Sequence, residues 1–305
     1  MAGSSKKVII AALIGNGLIA ITKFIAAGIT SSSAMLSEGI HSLVDTGNQV
    51  LLLFGLKQSA KPADAEHPFG HGREVYFWSF IVAILIFAIG AGISIYEGIQ
   101  HLLHPKGGSG NFMVNYVVLG LAMVFEGAAW YYAWKEFRKH KGEKGYLKAV
   151  HEGKDPTLFV VLFEDSAAMA GLIVAFFGVL LTDITGIHYF DGGASVLIGV
   201  ILAITAAWLA YETKGLLIGE SASKDDIAGI KQIAANHEEV KHVNEALTMH
   251  MGPQDILVNL SLDFADGITA DRVEQVIADI DREIKDQIPA ARRVFIEAEA
   301  RRRRG

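Results

Sequence analysis

The sequence predicts an α-helical membrane protein, with six transmembrane helices followed by a small α+β domain. The chain has 305 residues, of which 51% are hydrophobic, and a mean hydropathy of +0.34. That is too apolar for a soluble domain of this length. Six apolar segments are long enough to cross a bilayer, for which a helix needs roughly 20 residues. After Gly215, acidic, basic and short apolar stretches alternate, which indicates a water-soluble C-terminal part.

Each predicted span is bounded by polar or turn residues. Basic residues cluster at the N-terminus and after the second and fourth spans, so the positive-inside rule puts both termini in the cytoplasm. The membrane expected from this pattern is the bacterial inner (plasma) membrane. The six spans are Val8–Ile29, Ala34–Leu56, Tyr76–Ile99, Phe112–Trp134, Thr157–Leu181 and Tyr189–Tyr211.

The C-terminal part reads as α-β-β-α-β, a ferredoxin- or metallochaperone-like order with two helices on one face of a three-stranded sheet. We therefore expect a transmembrane domain over 1–214 and a cytoplasmic domain over 215–305. The arginine run Arg301–Arg304 is interpreted as a solvated tail; the alternative is a lipid or nucleic-acid contact. The predicted elements are Lys224–Asn236, His242–His250, Ile256–Phe264, Ala270–Ile288 and Arg292–Glu299.

The second span contains polar residues that are costly at bilayer depth. His41 and Asp45 are four residues apart, which places them on one helix face, with Glu38 and Asn48 on nearly the same stripe. Ionisable residues within a span mark functional sites by default. An imidazole beside a carboxylate is half of a tetrahedral metal site. The alternative is a simple interhelical hydrogen bond.

The fifth span supplies a second pair of carboxylates. Glu164 and Asp165 are followed by small residues, which would let this helix approach a neighbour closely. The alternative is an acidic pair at the start of the helix, near the interface. Lys23 in the first span is expected to snorkel toward the headgroups rather than to act as a counter-charge.

The connection after the second span contains a third group of ligand-type residues. Asp64, His67 and His71 lie within eight residues, among Pro and Gly. Two imidazoles and a carboxylate at this spacing are able to close around a zinc-like ion. A polar turn with incidental histidines is the alternative.

These motifs together resemble the cation diffusion facilitator family of metal/proton antiporters. The resemblance rests on the His41/Asp45 pair, the loop Pro62–Arg73, the six-span layout and the tail, and it extends over nearly the whole chain. The tail is similar to the branch that includes the mitochondrial zinc transporter of animals. The resemblance implies a homodimer with a central metal site built by the second and fifth spans. Its ligands here would be His41, Asp45 and Asp165.

The fifth span departs from the family pattern, because Val161 stands where a fourth ligand is expected. Glu164 is the nearest substitute, but one residue turns a helix by about 100°, so it would need a rotated or distorted helix. A water or Glu38 are the other candidates. The tail lacks the family's histidines in its last strand, so it is expected mainly to hold the dimer.

The function expected from the sequence is divalent metal efflux, with Zn²⁺ exchanged for protons by alternating access. Mn²⁺, Fe²⁺, Co²⁺ and Ni²⁺ stay open as alternative ions. His41 is the expected point of proton linkage. A membrane metallohydrolase and a sensor or scaffold without transport are the rival functions. We expect no enzymatic activity; the expected partners are a second copy of the chain, the lipid bilayer, divalent metal ions and protons, and no nucleic acid.

Overall fold

The computed structural model of the chain describes residues 2–104, 112–141, 145–151 and 153–301. The predicted arginine tail lies outside these residues beyond Arg301. The chain separates into two compact units: Met1–Lys57 with Glu74–Lys214, and Gln58–Arg73 with Gly215–Gly305. The first unit is helical and the second contains the sheet.

Long helices build the first unit. The span α3–α4 is continuous, with a π-helical turn at Ile86–Ala91 in its middle. The helices are α1 (Ala2–Thr30), α2 (Ser33–Ser59), α3 (Glu74–Leu85), α4 (Gly92–Leu103), α5 (Phe112–Lys141), the short α6 (Tyr146–His151), α7 (Pro156–Thr185) and α8 (Tyr189–Ile218).

In the described part of the chain, five helices are long and apolar enough to cross a membrane: α1, the continuous α3–α4, α5, α7 and α8. The remaining long helix, α2, is 27 residues in length but carries Glu38, His41 and Asp45. Those residues lower its hydropathy, and α2 completes the predicted six. The predicted architecture of six spans followed by a small sheet domain is confirmed.

Side chains fix where two of the site-bearing helices begin. Asp191 at the start of α8 accepts hydrogen bonds from the Ser33 backbone N–H (2.5 Å) and the Ser32 hydroxyl (2.6 Å), so it caps α2 from a neighbouring helix. Asp155 caps α7 by accepting from the Thr157 N–H at 3.1 Å. These caps satisfy backbone donors that the first turn of a helix leaves free.

The second unit has the predicted α-β-β-α-β order. Strand β2 is central: it pairs antiparallel with β1 and parallel with β3. Its Val258 and Leu260 are fully buried against Ile230 of the first helix and Ile280 of the second. The elements are α9 (Lys224–Ala235), β1 (Val240–Gly252), β2 (Asp255–Phe264), α10 (Ala270–Gln287) and β3 (Arg293–Ala298).

The loop between α2 and α3 belongs to this second unit. The Arg293 guanidinium donates to the Phe69 carbonyl at 2.9 Å and lies 5.2 Å from the centre of the Phe69 ring. Gly72 packs directly on the backbone of Met251, where a side chain would collide with the Met251 carbonyl. The loop is therefore held in a defined conformation by the C-terminal strands.

Candidate metal centre

The polar stripe of α2 faces the interior of the helical unit. Glu38, His41, Asp45 and Asn48 are each at most 2% exposed. His41 Nδ1 lies 3.3 Å from Asp45 Oδ1, the proximity that their four-residue spacing predicts. Both imidazole nitrogens lack a hydrogen-bond partner among the described residues. A buried neutral imidazole can offer the lone pair of one of these nitrogens to a metal ion.

The carboxylates of α7 reach this stripe. Glu164 and Asp165 are 2% and 5% exposed, two turns inside the helix, so they are not an interfacial pair at its start. Asn48 Nδ2 donates to Glu164 Oε1 at 2.6 Å, and the Asp45 carboxyl is also in hydrogen-bonding contact with Glu164. Glu164 therefore contacts α2 directly.

Of the two ways in which Glu164 was expected to reach the site, a rotated helix or a locally distorted one, α7 shows no distortion. The helix is regular from Pro156 to Thr185. Glu164 reaches Asp45 because α7 is turned so that Glu164 and Asp165 both face the interior, where both are buried. Val161, which occupies the missing ligand position, is only half-buried.

A buried lysine of α1 contacts the polar stripe of α2. Lys23 Nζ donates to Glu38 Oε2 at 3.0 Å and to the Ser42 hydroxyl at 2.8 Å, and the lysine is fully buried. The expectation that Lys23 snorkels was wrong, because Glu38 on the facing helix offers a charge partner at the same depth. Glu38 is therefore committed to an ion pair, although its Oε1 has no hydrogen-bond partner.

Sequence reasoning missed a further buried carboxylate, Glu126 of α5. It is 1% exposed and lies within electrostatic range of Asp45, Glu164 and Asp165. The signal was available, because an acidic residue inside an apolar span is itself a functional hypothesis. Glu126 was overlooked because its own span offers no second ligand at helical spacing.

In the helical unit, the candidate ligand atoms lie near one another but do not form a compact group. Among the described residues, one group of three acidic or histidine side chains has ligand atoms that all lie within 4.8 Å of one another. It consists of Asp64, His67 and His71. The candidate residues His41, Asp45, Glu164 and Asp165 share one buried interior, but they do not form such a compact group. A metal ion bound there would have to draw the side chains together.

The loop residues Asp64, His67 and His71 do converge. Asp64 Oδ2 lies 2.9 Å from His71 Nε2, and Asp64 Oδ1 lies 3.3 Å from His67 Nδ1. Hydrogen bonds from His71 and from the His67 backbone N–H lower the pKa of Asp64 to about 2. The carboxylate is therefore ionised and preorganised toward two imidazoles, as a divalent metal requires.

The histidines of the C-terminal domain lie apart. His237 is 3.5 Å from Glu283, whereas His250 is directed toward the Gly252 carbonyl at 3.2 Å. Neither residue belongs to a compact ligand group in the described part of the chain.

Comparisons with known proteins agree with both units. Residues 9–218 match the family model of the cation efflux transmembrane domain, and residues 222–301 match that of the cation efflux protein, cytoplasmic domain. The proton-coupled zinc antiporter SLC30A9, mitochondrial, of Xenopus laevis is 36% identical over 277 residues, 90% of this chain and 49% of the relative. The human protein of the same name is 35% identical over 260 residues, 85% of this chain and 46% of the relative.

A bacterial relative matches along nearly its whole length. The manganese efflux system protein MneP of Bacillus subtilis (strain 168) is 26% identical over 303 residues, 96% of this chain and 95% of the relative. By contrast, the chain spans about half the length of the SLC30A9 proteins that it matches. These relatives do not favour a metallohydrolase or a sensor.

The expected location in a bacterial inner membrane is contradicted by these comparisons. The SLC30A9 relatives from Xenopus laevis, human, Pongo abelii and mouse are all described as mitochondrial. The positive-inside pattern orients a chain in a membrane but does not identify the membrane. The chain is an integral membrane protein in either case.

Proposed function

Because the chain belongs to the cation efflux family, we propose that it exports divalent metal ions, Zn²⁺ first among them, in exchange for protons. The observation that carries the proposal is the buried group of one imidazole and several carboxylates at the α2–α7 contact. Burying such groups among membrane-spanning helices is costly unless a cation or protons compensate them.

The central site is proposed to use His41, Asp45, Glu164 and Asp165. His41 and Asp45 provide a nitrogen and an oxygen from one helix face, while Glu164 reaches them across the helix contact. Asn48 orients Glu164 through its 2.6 Å hydrogen bond. This arrangement supports Glu164 as the replacement for the ligand that Val161 does not supply.

Proton exchange follows from competition at the same atoms. A metal ion requires a neutral imidazole and ionised carboxylates, so protons that arrive at these residues weaken metal binding. If the helices expose the site first to one side and then to the other, metal leaves where protons enter. Transport is therefore proposed to be coupled through His41 and the carboxylates.

The ligand types support Zn²⁺ without excluding harder ions. Imidazole suits zinc, iron and nickel, whereas carboxylate oxygens also suit manganese. One histidine among several carboxylates is consistent with transport of Zn²⁺ together with Mn²⁺, Fe²⁺, Co²⁺ or Ni²⁺. Relatives named for zinc and for manganese agree with this range.

Asp64, His67 and His71 are proposed to form a second, peripheral metal site. Their ligand atoms already lie within 4.8 Å of one another, and the loop is anchored by Arg293. The residues are partly exposed, so an ion would bind there with open coordination positions for water.

The working unit is proposed to be a homodimer in the lipid bilayer, held in part by the C-terminal domain. The family model that residues 222–301 match belongs to a domain named for dimerisation. On the sheet, Leu247 of β1 and Phe295 of β3 lie in one row, on either side of Asn259, and both are 54% exposed. Exposed apolar side chains in a row suit an interface between copies.

The test is metal uptake into liposomes that contain the purified chain, with Asp45→Asn beside the wild type. We expect saturable Zn²⁺ uptake by the wild type and background uptake by Asp45→Asn. Asp183→Asn is the matched control, because Asp183 lies at the exposed end of α7 and bonds Tyr116 at 2.9 Å. Equal uptake by the wild type and Asp45→Asn would overturn the proposed central site.

A further inference from the structure

Resting on the proposed function, we propose that Glu126 of α5 is a ligand of the transported metal, so that the fourth span contributes to the site together with the second and fifth. The sequence predicted a site that is one ligand short because of Val161. Glu126 supplies a further carboxylate from a third helix, α5.

The register between α5 and α7 places Glu126 beside the site. Helix α5 packs along α7 and against α1. Trp130, one turn after Glu126, donates from its indole N–H to the Ser166 hydroxyl at 2.9 Å. Ser166 directly follows Asp165 in α7. Residues one turn apart share a helix face, so Glu126 lies on the face of α5 that meets α7.

Glu126 lacks the hydrogen-bond partners that a buried carboxylate normally has. Only 1% of the residue is exposed, and neither carboxylate oxygen has a hydrogen-bond partner among the described residues. Buried polar atoms in folded proteins are nearly always paired, and a buried charge is paired or bound to a metal. Two unpaired oxygens on one side chain therefore indicate a ligand that enters this interior.

The nearby lysine does not supply that partner. Lys23 lies within electrostatic range of Glu126, but its ammonium group is bonded to Glu38 and Ser42. In the described part of the helical unit, Glu126 makes no ion pair comparable with the one between Lys23 and Glu38. The lysine neutralises one carboxylate and leaves the others to a different cation.

Unpartnered atoms from three helices surround the same interior. His41 contributes both ring nitrogens, Asp45 contributes Oδ1 and Glu164 contributes Oε2, in addition to the two oxygens of Glu126. One imidazole with several carboxylate oxygens is a ligand set for first-row divalent ions. A glutamate has the reach to join this set when a metal draws the side chains together.

The decisive experiment measures the Zn²⁺ and Mn²⁺ dependence of uptake into liposomes for Glu126→Gln. The substitution keeps the shape of the side chain and removes its charge. We expect the metal concentration for half-maximal uptake to rise at least about tenfold, the lower end of losses seen around metal ligands. Glu136→Gln is the matched control on the same helix, where Glu136 pairs with Lys139 at 2.7 Å, and it should leave uptake unchanged.

A second substitution tests ligand chemistry rather than folding. Glu126→His exchanges an oxygen ligand for a nitrogen, so uptake of Zn²⁺ should be retained better than uptake of Mn²⁺. Unchanged apparent affinity and unchanged Zn²⁺/Mn²⁺ preference in both Glu126 variants would overturn the proposal. Loss of uptake in Asp45→Asn alongside that result would leave the proposed function standing, whereas normal uptake in Asp45→Asn would defeat the proposed central site instead.

The wild-type chain offers a measurement that does not depend on a variant's folding. Hydrophobic carbodiimides modify protonated carboxyl groups inside membrane proteins, and the modified residue can be located by mass spectrometry. Bound Zn²⁺ should protect Glu126 from modification, together with Asp45. Modification of Glu126 at the same rate with and without saturating Zn²⁺, while Asp45 is protected, would contradict a ligand role.

Discussion

At the scale of single residues, the helical unit is defined by how its buried charges are compensated. Lys23 and Glu38 form one complete pair at 3.0 Å. Four further buried carboxylates surround the same interior, where the imidazole of His41 lies 3.3 Å from one of them. They are Asp45, Glu126, Glu164 and Asp165. This excess of negative charge supports the proposal that the interior binds a cation.

Breaking the Lys23–Glu38 pair should destabilise the protein. Lys23→Met leaves Glu38 buried without its partner, and the loss of one member of a buried pair costs about 3–5 kcal/mol. The double variant Lys23→Met/Glu38→Met should recover most of that loss, since no charge is stranded. The stabilities of the variants are compared by thermal unfolding in detergent. If the losses of stability in the two single variants add up in the double variant, the pair does not act as a unit.

The loop site should retain its carboxylate in ionised form while it loses metal in mild acid. Asp64 has a pKa near 2, lowered first by its hydrogen bond with His71, so its contribution is present above the ordinary pKa of about 3.9 and is lost only as the pH falls through about 2. Because a metal ion needs deprotonated ligands, metal that is lost while Asp64 is still ionised reports protonation of the imidazole ligands.

The pH dependence is measured as equilibrium Zn²⁺ binding to the Asp45→Asn variant. This substitution removes a proposed ligand of the central site and leaves the loop site intact. Binding should decline as the pH is lowered, well above the pKa of about 2 at which Asp64 gains its proton. His71→Ala in the same background should abolish it, because His71 makes the 2.9 Å contact with Asp64. Binding that persists to about pH 4 would contradict a site built on imidazoles.

At the scale of helices, glycines allow α4 and α8 to approach until their backbones touch. A Cβ on Gly98 would lie 2.7 Å from the Val196 nitrogen, and one on Gly199 would lie 2.9 Å from the Ile95 nitrogen. No side chain fits at such distances, so the contact depends on these glycines.

Gly98→Ala or Gly199→Ala should therefore force α4 and α8 apart, with a loss of stability of about 1–3 kcal/mol for overpacking. Gly193→Ala on α8 is the matched control, because a Cβ there would meet nothing within 4 Å. Unfolding midpoints in detergent should fall for the first two variants and not for the third. A fall of equal size in Gly193→Ala would refute the close-packing explanation.

The sequence predicted the parts of the site that lie along one helix, but not the parts that depend on how helices face each other. The spacing of His41 and Asp45 fixes a shared face through helix geometry alone. The Lys23–Glu38 pair and the position of Glu126 depend on the rotation of α1 and α5 about their axes, which periodicity in nearly uniformly apolar spans does not define. For the same reason, the sequence did not decide between a rotated and a distorted α7 as the way in which Glu164 reaches Asp45.

At the scale of the whole molecule, the chain joins a polar-cored helical unit to a sheet domain that also holds the α2–α3 loop. Composition predicted the two architectures, because a bilayer span and a soluble α+β domain require different residue patterns. The inclusion of loop 58–73 in the second unit depends on contacts such as Arg293 with Phe69, which are distant in sequence and were not predictable.

Dimerisation should depend on the exposed row of the sheet. In detergent, light scattering should give twice the 32.9 kDa mass of the chain for the wild type. The double variant Leu247→Glu/Phe295→Glu should shift the protein toward the monomer, because burying two charges at an interface is unfavourable. Lys231→Glu, on the exposed side of α9, serves as the control. An unshifted dimer in the double variant would place the interface elsewhere.

We propose that metal and protons exchange at one buried site. The most direct test records Zn²⁺ entry and proton exit simultaneously in liposomes that contain the full chain, using one dye for the metal and one for pH. We expect the two fluxes to start together, to keep a constant ratio over a range of Zn²⁺ concentrations, and to vanish together in Asp45→Asn. Zinc entry without proton movement, or proton movement that survives in Asp45→Asn, would contradict it.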